Sequence, residues 1–194
     1  MLIERSPKAR EIILHTRQLL TSGGYNSFSY ADIAELVQIQ KASIHHHFPS
    51  KVELVQAVVA EYREEARMGM AALEQNLNDP LLELQAYIDY WSACISEGTS
   101  PFCICVMLSV ELPKLPREIS SEVSGHFSDL ADWLTALLRK GEISGIFQLD
   151  EAPETQAKSV MATVHGAMLA ARALENTALF QEIVHPVINR LIHK

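Results

Sequence analysis

Two short stretches hold the side chains with which this chain could do chemistry. In the first, Lys41-Ala42-Ser43-Ile44 runs into His45-His46-His47, with Ser29 and Gln40 before it and Lys51 after it. Three successive histidines invite a metal reading, but adjacent helical positions point about 100° apart, whereas chelation from one helix needs i, i+3 or i, i+4 spacing. No metal site is therefore expected there, and no cofactor. Lys, Ser and His are instead the donors that meet phosphates and base edges, and Ala is the size that touches a thymine methyl.

The second stretch is Cys103-Ile104-Cys105. Read as lying just inside a helix begun by Ser100-Pro101, Cys103 would feel the positive end of that helix, which favours thiolate and reaction with oxidants or electrophiles. A buried cysteine is also simply a small apolar residue. With Cys94 the thiols number three, so at least one stays outside any intramolecular disulfide, and Cys103 and Cys105 are too close along a helix for easy pairing. A reducing, cytoplasmic setting is expected.

These residues need elements to position them, and helical spacing dominates the chain. Ala9, Ile12, Ile13, Thr16, Leu19 and Leu20 recur on one helix face, with Ser6 as N-cap, Pro7 in the first turn and Gly23-Gly24 as the stop. Ser29 and Asp32 frame a capping box for a short second helix that turns Ile33, Ala34 and Val37 inward. After a tight connection at Gln38-Ile39, Gln40 to His47 reads as a third helix, ended near Pro49. Ser50-Lys51-Val52-Glu53 opens a long fourth helix toward Leu73.

Further helices follow. A fifth runs from Leu81 to a stop at Glu97-Gly98, and Pro101 to Leu112 is apolar all round, as a buried helix would be. A long seventh passes through Ile119, Val123, Phe127, Leu130, Leu134 and Leu138. The last two span Pro153 to Glu175 and Thr177 to His193, with Pro186 expected to bend the final one. No alternating strand pattern, repeat or low-complexity segment is visible, so the expected class is all-α.

The net charge of −8 hides an uneven distribution. Met1 to Lys51 holds six Lys/Arg against four acids, a balance of +2 that leaves −10 for the remainder. Contact with a polyanion depends on local rather than average charge. Apolar residues make up 48% of the chain, which excludes a disordered tail. No apolar run approaches the ~20 residues that span a bilayer, so no membrane partner is expected.

Gly24 to Ala34 (GYNSFSYADIA), followed by Lys41 to Leu54 (KASIHHHFPSKVEL), resembles the DNA-binding segment of TetR-family regulators. The likeness covers about a quarter of the chain. Three positions depart from the family pattern: Gln38 stands for the turn glycine, Gln40 for the Ser/Thr cap and His45 for a tyrosine.

The resemblance implies a three-helix helix-turn-helix domain over 1–51 and a larger helical ligand-binding and dimerisation domain over 52–194. It implies a homodimeric, ligand-released repressor on palindromic double-stranded operator DNA, and no enzyme. Lys41, Ala42 and Ser43 would face base edges, Ser29, His45 and Lys51 would hold phosphates, and Gln40 and His46 would lie at the same surface.

For the larger domain, Trp91, Cys94, Phe102, Cys103, Met107, Phe127, Trp133, His165 and Met168 are candidates to line an apolar cavity for a small apolar or reactive inducer. Some relatives with a similar cysteine segment before a Leu-Ser-x-Glu-like stretch, here Leu108 to Glu111, respond to reactive compounds, which implies thiol sensing at Cys103. Gly166, Ala167, Ala170, Ala171 and Ala173, with Leu179, Ile183, Val187 and Leu191, suggest a dimer seam. Two alternatives stand beside this reading. One is an enzyme using Cys103 with His165, and the other is a helical ligand carrier whose DNA-binding head is not used.

Overall fold

The computed structural model describes residues 5–97 and 102–192. Among them are nine α-helices and no strand. The first four are α1 (Pro7–Gly23), α2 (Tyr30–Val37), α3 (Lys41–His47) and α4 (Lys51–Leu77). They are followed by α5 (Pro80–Glu97), α6 (Ile104–Ser109), α7 (Arg117–Ile143), α8 (Pro153–Ala173) and α9 (Leu179–Ile192). The all-α expectation holds.

Local chemistry sets most of the boundaries. Ser6 Oγ accepts the Ala9 N–H at 3.2 Å, and Pro7 occupies the first turn of α1, where a missing N–H costs nothing. Gly24 ends that helix at φ +81°. Ser29 and Asp32 complete the reciprocal capping box of α2, and those hydrogen bonds hold the Asp32 carboxyl below its usual range. Ser50 Oγ accepts the Glu53 N–H at 3.2 Å and so caps α4.

One expectation fails in its detail. The apolar pattern predicts a helix from Pro101 to Leu112. The helix is only Ile104–Ser109, followed by a single 3₁₀ turn over Leu112–Lys114 that begins where Pro113 would break an α-helix. Cys103 is the N-cap of α6, extended at φ −69° and ψ 123°, and does not lie inside it. The expected stop at Gly98, the start at Ser100-Pro101, and His193 lie outside the described residues. Pro186 sits inside α9 without ending it.

The chain forms two compact units. The first takes the described residues as far as Ala66 together with Cys103–Phe127, and the second takes the rest. In the first, α1 packs on α2, α3 and α6, and α2 packs on α3. Ile12, Leu20, Ile33, Ile44, Leu54 and Ile119 are fully buried there. In the second, α9 packs on α8 and α5, joining Val160, Val164, Ala167 and Met168 of α8 to the buried face Phe180, Val184, Ile188 and Leu191 of α9. The carboxylate of Glu83, 2% exposed, is balanced by Lys140 Nζ at 3.1 Å. Such pairing is what makes a buried charge tolerable.

The turn between α2 and α3 is where the backbone is strained. Gln38 adopts the left-handed conformation, φ 55° and ψ 47°, and Ile39 N–H closes the turn on Ala34 O at 3.0 Å. A residue with a Cβ is disfavoured there by about 1 kcal/mol, part of which glycine would return through its looser unfolded chain. Gln38→Gly is therefore expected to stabilise the folded chain by about 0.5 kcal/mol or more. A rise in the urea midpoint without a change in slope would show it, and a fall would contradict it.

Candidate nucleic-acid interface and a buried cysteine cluster

A seven-residue helix has little to hold it except what it packs against, and α3 is staked by two side chains. Ile44 is 0% exposed and Phe48, just past the end, is 3% exposed. Tyr30 of α2 donates its hydroxyl to Phe48 O at 2.8 Å, tying the start of one helix to the end of the other. Burial, followed by the nearby charges of Glu53 and Tyr25, pushes the Tyr30 phenol up to about 12.

With Ile44 inward, the residues on either side of it face out. Gln40, Lys41, Ala42, Ser43, His45 and His46 are all exposed, while His47 is half-buried. Gln40 caps α3 with its backbone alone, Ser43 N–H reaching Gln40 O at 2.9 Å, and its side chain makes no cap hydrogen bond. The imidazole of His45 lies against the Tyr30 ring, centroids 4.7 Å apart. Its Nδ1 stands 3.1 Å from Pro49 O. A carbonyl only accepts, so the proton sits on Nδ1, and Nε2 can donate outward only when the ring is a cation.

Two of the expected phosphate holders are engaged locally. The Ser29 hydroxyl donates to Asp32 Oδ2 at 2.8 Å and accepts the Ala31 N–H at 3.1 Å. Lys51 is half-buried, its ammonium donating to Phe28 O and lying 4.6 Å from the Tyr25 ring centre and 4.1 Å from that of Phe28. Desolvation lowers its pKa, against the pull of Glu111 and Asp32. Other cations of this unit also turn inward: Arg17 meets Glu65 at 2.6 Å, Arg5 meets Glu61 at 2.5 Å and Arg63 meets Glu122 at 3.2 Å.

In the sequence Glu111 stands out only as part of a Leu-Ser-x-Glu stretch. Its carboxylate grips the turn that follows α1, accepting the Tyr25 N–H and the Asn26 side-chain amide, each at 2.7 Å. Gly24 is required there twice over, by its φ of +81° and because a Cβ would stand 2.0 Å from Glu111 Oε1.

None of the three cysteines is in a disulfide and all are buried. Cys103 Sγ lies 3.8 Å from His126 Nε2, and Cys105 completes a group whose ligand atoms all lie within 4.8 Å of one another. Burial, then the hydrogen bond and charge of Cys103, push the Cys105 thiol well up, against the opposing charges of Arg17 and Arg63. His126 was missed in the sequence because nothing local distinguishes it from other polar residues of a long helix.

Of the nine pocket candidates, Trp91, Cys94, Phe102, Trp133, His165 and Met168 belong to the second unit, and Cys103, Met107 and Phe127 to the first. Trp91, Cys94, Phe102, His165 and Met168 are buried, while Trp133 is half-exposed and edge-on to Tyr87 at 5.6 Å. The Arg172 guanidinium covers the Phe102 ring at 5.0 Å.

Comparison with known proteins agrees with this geometry. Residues 12–58 match the family described as bacterial regulatory proteins, tetR family, and residues 80–186 match the tetracyclin repressor-like C-terminal domain. The HTH-type transcriptional repressor DhaR of Mycobacterium sp. (strain GP1) is 23% identical over 189 residues, covering 97% of this chain and 94% of that protein. A TetR-family transcriptional regulator from Agrobacterium tumefaciens is 50% identical, with a TM-score of 0.94 over 96% of this chain and 98% of its own. A TetR regulator from Legionella pneumophila, 24% identical, has a TM-score of 0.86 over 97% of this chain and 100% of its own, and shares the fold.

The Tyr30 hydroxyl gives a test of how α2 and α3 are joined. Tyr30→Phe leaves a buried carbonyl without its donor and is expected to cost about 1–2 kcal/mol. The folded phenol titrates at about 12 against an ordinary value of 10.0. Its contribution is therefore complete below pH 10 and lost as pH rises toward 12. Denaturation curves should show the wild type losing more stability than Tyr30→Phe across that window, and parallel losses would refute the role.

Proposed function

Because the chain belongs to the TetR family of bacterial regulatory proteins and is a DNA-binding transcriptional regulator, we propose that it is a homodimeric repressor. It binds a palindromic operator and leaves it when a small apolar or reactive inducer is taken up. The observation that carries this reading is the outward face of α3: a short helix staked by Ile44, with Lys41, Ala42, Ser43, His45 and His46 all exposed. The functional division is residues 1–51 for DNA and 52–194 for inducer and dimer.

Within that division Lys41, Ala42 and Ser43 read base edges in the major groove, with Gln40 and His46 flanking them. Ser29, His45 and Lys51 hold phosphates, helped by the positive starts of α2 and α4. Lys51 has a second duty, since its ammonium already braces Phe28 O. His45 contributes to phosphate binding only when protonated, because its Nδ1 is spent on Pro49 O.

The dimer is supported by α8. Ala162, Gly166, Leu169 and Ala173 form an exposed, mostly small flank, and a Cβ at Gly166 would meet nothing within 4 Å. Ala167 and Ala171 are buried and serve the α8 core instead. Two recognition helices must stand about 34 Å apart to enter successive major grooves. An inducer that tilts the continuous helix α4 (Lys51–Leu77) would spoil that spacing without touching DNA.

Thiol sensing at Cys103 is a second reading, favoured by the His126 imidazole 3.8 Å from its sulfur. The six-residue helix that Cys103 caps carries only a small dipole, and the thiol is 0% exposed. An electrophile reaches it only when the segment opens.

Binding to the DNA upstream of the protein's own gene, measured against salt, tests the main reading. Lys51→Ala should weaken binding to every sequence and flatten the salt slope by about one unit, whereas Lys41→Ala and Ser43→Ala should change which sequence is preferred. Equal losses on all sequences for the three variants would remove the assignment of base readers. For the thiol reading, Cys103→Ser should abolish release from DNA by electrophiles and peroxide, and unchanged release would end it.

A further inference from the structure

Two thiols and an imidazole converge in one enclosed place. Cys103 and His126 are 23 positions apart in sequence yet 3.8 Å apart at Sγ and Nε2, and with Cys105 they keep all three ligand atoms within 4.8 Å of one another. A cation bonded to sulfur at about 2.3 Å and to nitrogen at about 2.0 Å, with its ligands spread trigonally, needs ligand separations of roughly 3.7 to 4.0 Å. The cluster closes around such an ion with shifts of a few tenths of an ångström to about one. We infer that Cys103, Cys105 and His126 form a binding site for a thiophilic metal ion, and that copper(I) is the ion it fits.

The donor set argues for that choice. Thiolate and imidazole favour copper(I) and zinc over harder cations. Structural zinc takes four ligands, and among the described residues no fourth His, Cys, Asp or Glu joins the group. Cys103 and Cys105 are 0% exposed and His126 is 5% exposed, so all three ligands are withdrawn from bulk solvent.

On binding, the two thiol protons leave to solvent and two sulfur–metal bonds and one nitrogen–metal bond form, with no change of oxidation state. The single negative charge that remains lies in the field of Arg17 and Arg63, both of which act on Cys105. The His126 ring is held in place by Tyr62 at 5.3 Å and Phe127 at 5.7 Å between centroids. An ion replacing two protons adds little volume to a close-packed interior, whereas an organic adduct on Cys103 would have to displace its neighbours.

The position of the site gives it a reach. Cys103 caps α6, whose last residue is Ser109, and Glu111 two residues further on holds the Tyr25 N–H and the Asn26 amide of the DNA-binding head. Fixing Cys103 and Cys105 to His126 of α7 therefore restrains the segment that ends in Glu111. This coupling, which rests on the regulator reading above, makes operator affinity depend on metal occupancy.

The reduced full-length protein, titrated anaerobically with copper(I) against a chromogenic copper(I) chelator, should withdraw one copper per chain. X-ray absorption of the loaded protein should show two sulfur and one nitrogen neighbours. Cys105→Ser and His126→Gln should each weaken the affinity at least about 100-fold, beyond what loss of an outer hydrogen-bond partner costs, with helicity retained by circular dichroism. Failure of the wild type to compete for copper, or a shell without sulfur, overturns the site even if a variant does not fold. Tighter retention of zinc than of copper overturns the choice of ion. Metal-loaded and metal-free protein should differ in operator affinity by at least about fivefold. Equal affinities overturn the coupling alone, and absence of DNA binding in both forms overturns the regulator reading while leaving the metal measurement standing.

Discussion

A helix of seven residues does not persist in water on its own, because nucleating its first turn costs more than so few hydrogen bonds return. Everything the DNA-binding head presents therefore depends on the inward anchor of α3. Ile44 supplies the buried contact, Phe48 seals the end, and the Tyr30 hydroxyl holds Phe48 O so that α2 and α3 meet at one angle. Remove the anchor and nothing keeps Ile44 inward and Lys41, Ala42, Ser43, His45 and His46 outward. The strain at Gln38 is the cost of the same arrangement, since the chain must reverse within a single left-handed residue before α3 can begin.

The charges of the head follow a matching logic. Several arginines of the first unit are committed to acids, Arg5 to Glu61, Arg17 to Glu65 and Arg63 to Glu122. Arg5 and Arg17 also lie over the rings of Phe48 and Tyr62. Partly buried pairs of this kind hold α1 and the residues before it to α4, and α4 to α7, more than they add to an external field. The modest positive balance of the N-terminal region therefore overstates its outward charge. What faces solvent on α3 is Lys41 at the start and the imidazoles of His45 and His46 further along.

The segment after α5 links this head to chemistry that looks unrelated to it. Between Cys103 and Glu111 the chain passes from a thiol–imidazole cluster to a carboxylate that holds the turn after α1. Between those two ends α6 packs on α1, which is why Cys103–Phe127 belong to the first compact unit although they are remote from α1 to α3 in sequence.

The sequence by itself determined the helical class, most helix boundaries and the helix-turn-helix. The boundaries rest on interactions three or four residues long: Ser6 with Ala9, Ser29 with Asp32, Ser50 with Glu53, and the glycine that stops α1. The resemblance to TetR-family regulators added the awkward turn at Gln38, which stands where that family has a glycine. Only the tertiary structure decided what meets across long separations. Glu111 reaches Tyr25 over 86 positions and His126 reaches Cys103 over 23. Lys51 spends its ammonium on Phe28 O, and the expected helix around Cys103 shrank to six residues that it merely caps. Such meetings depend on which helix faces pack together, and a periodic apolar stripe fixes that a face is buried without saying which polar group will be waiting on the other side.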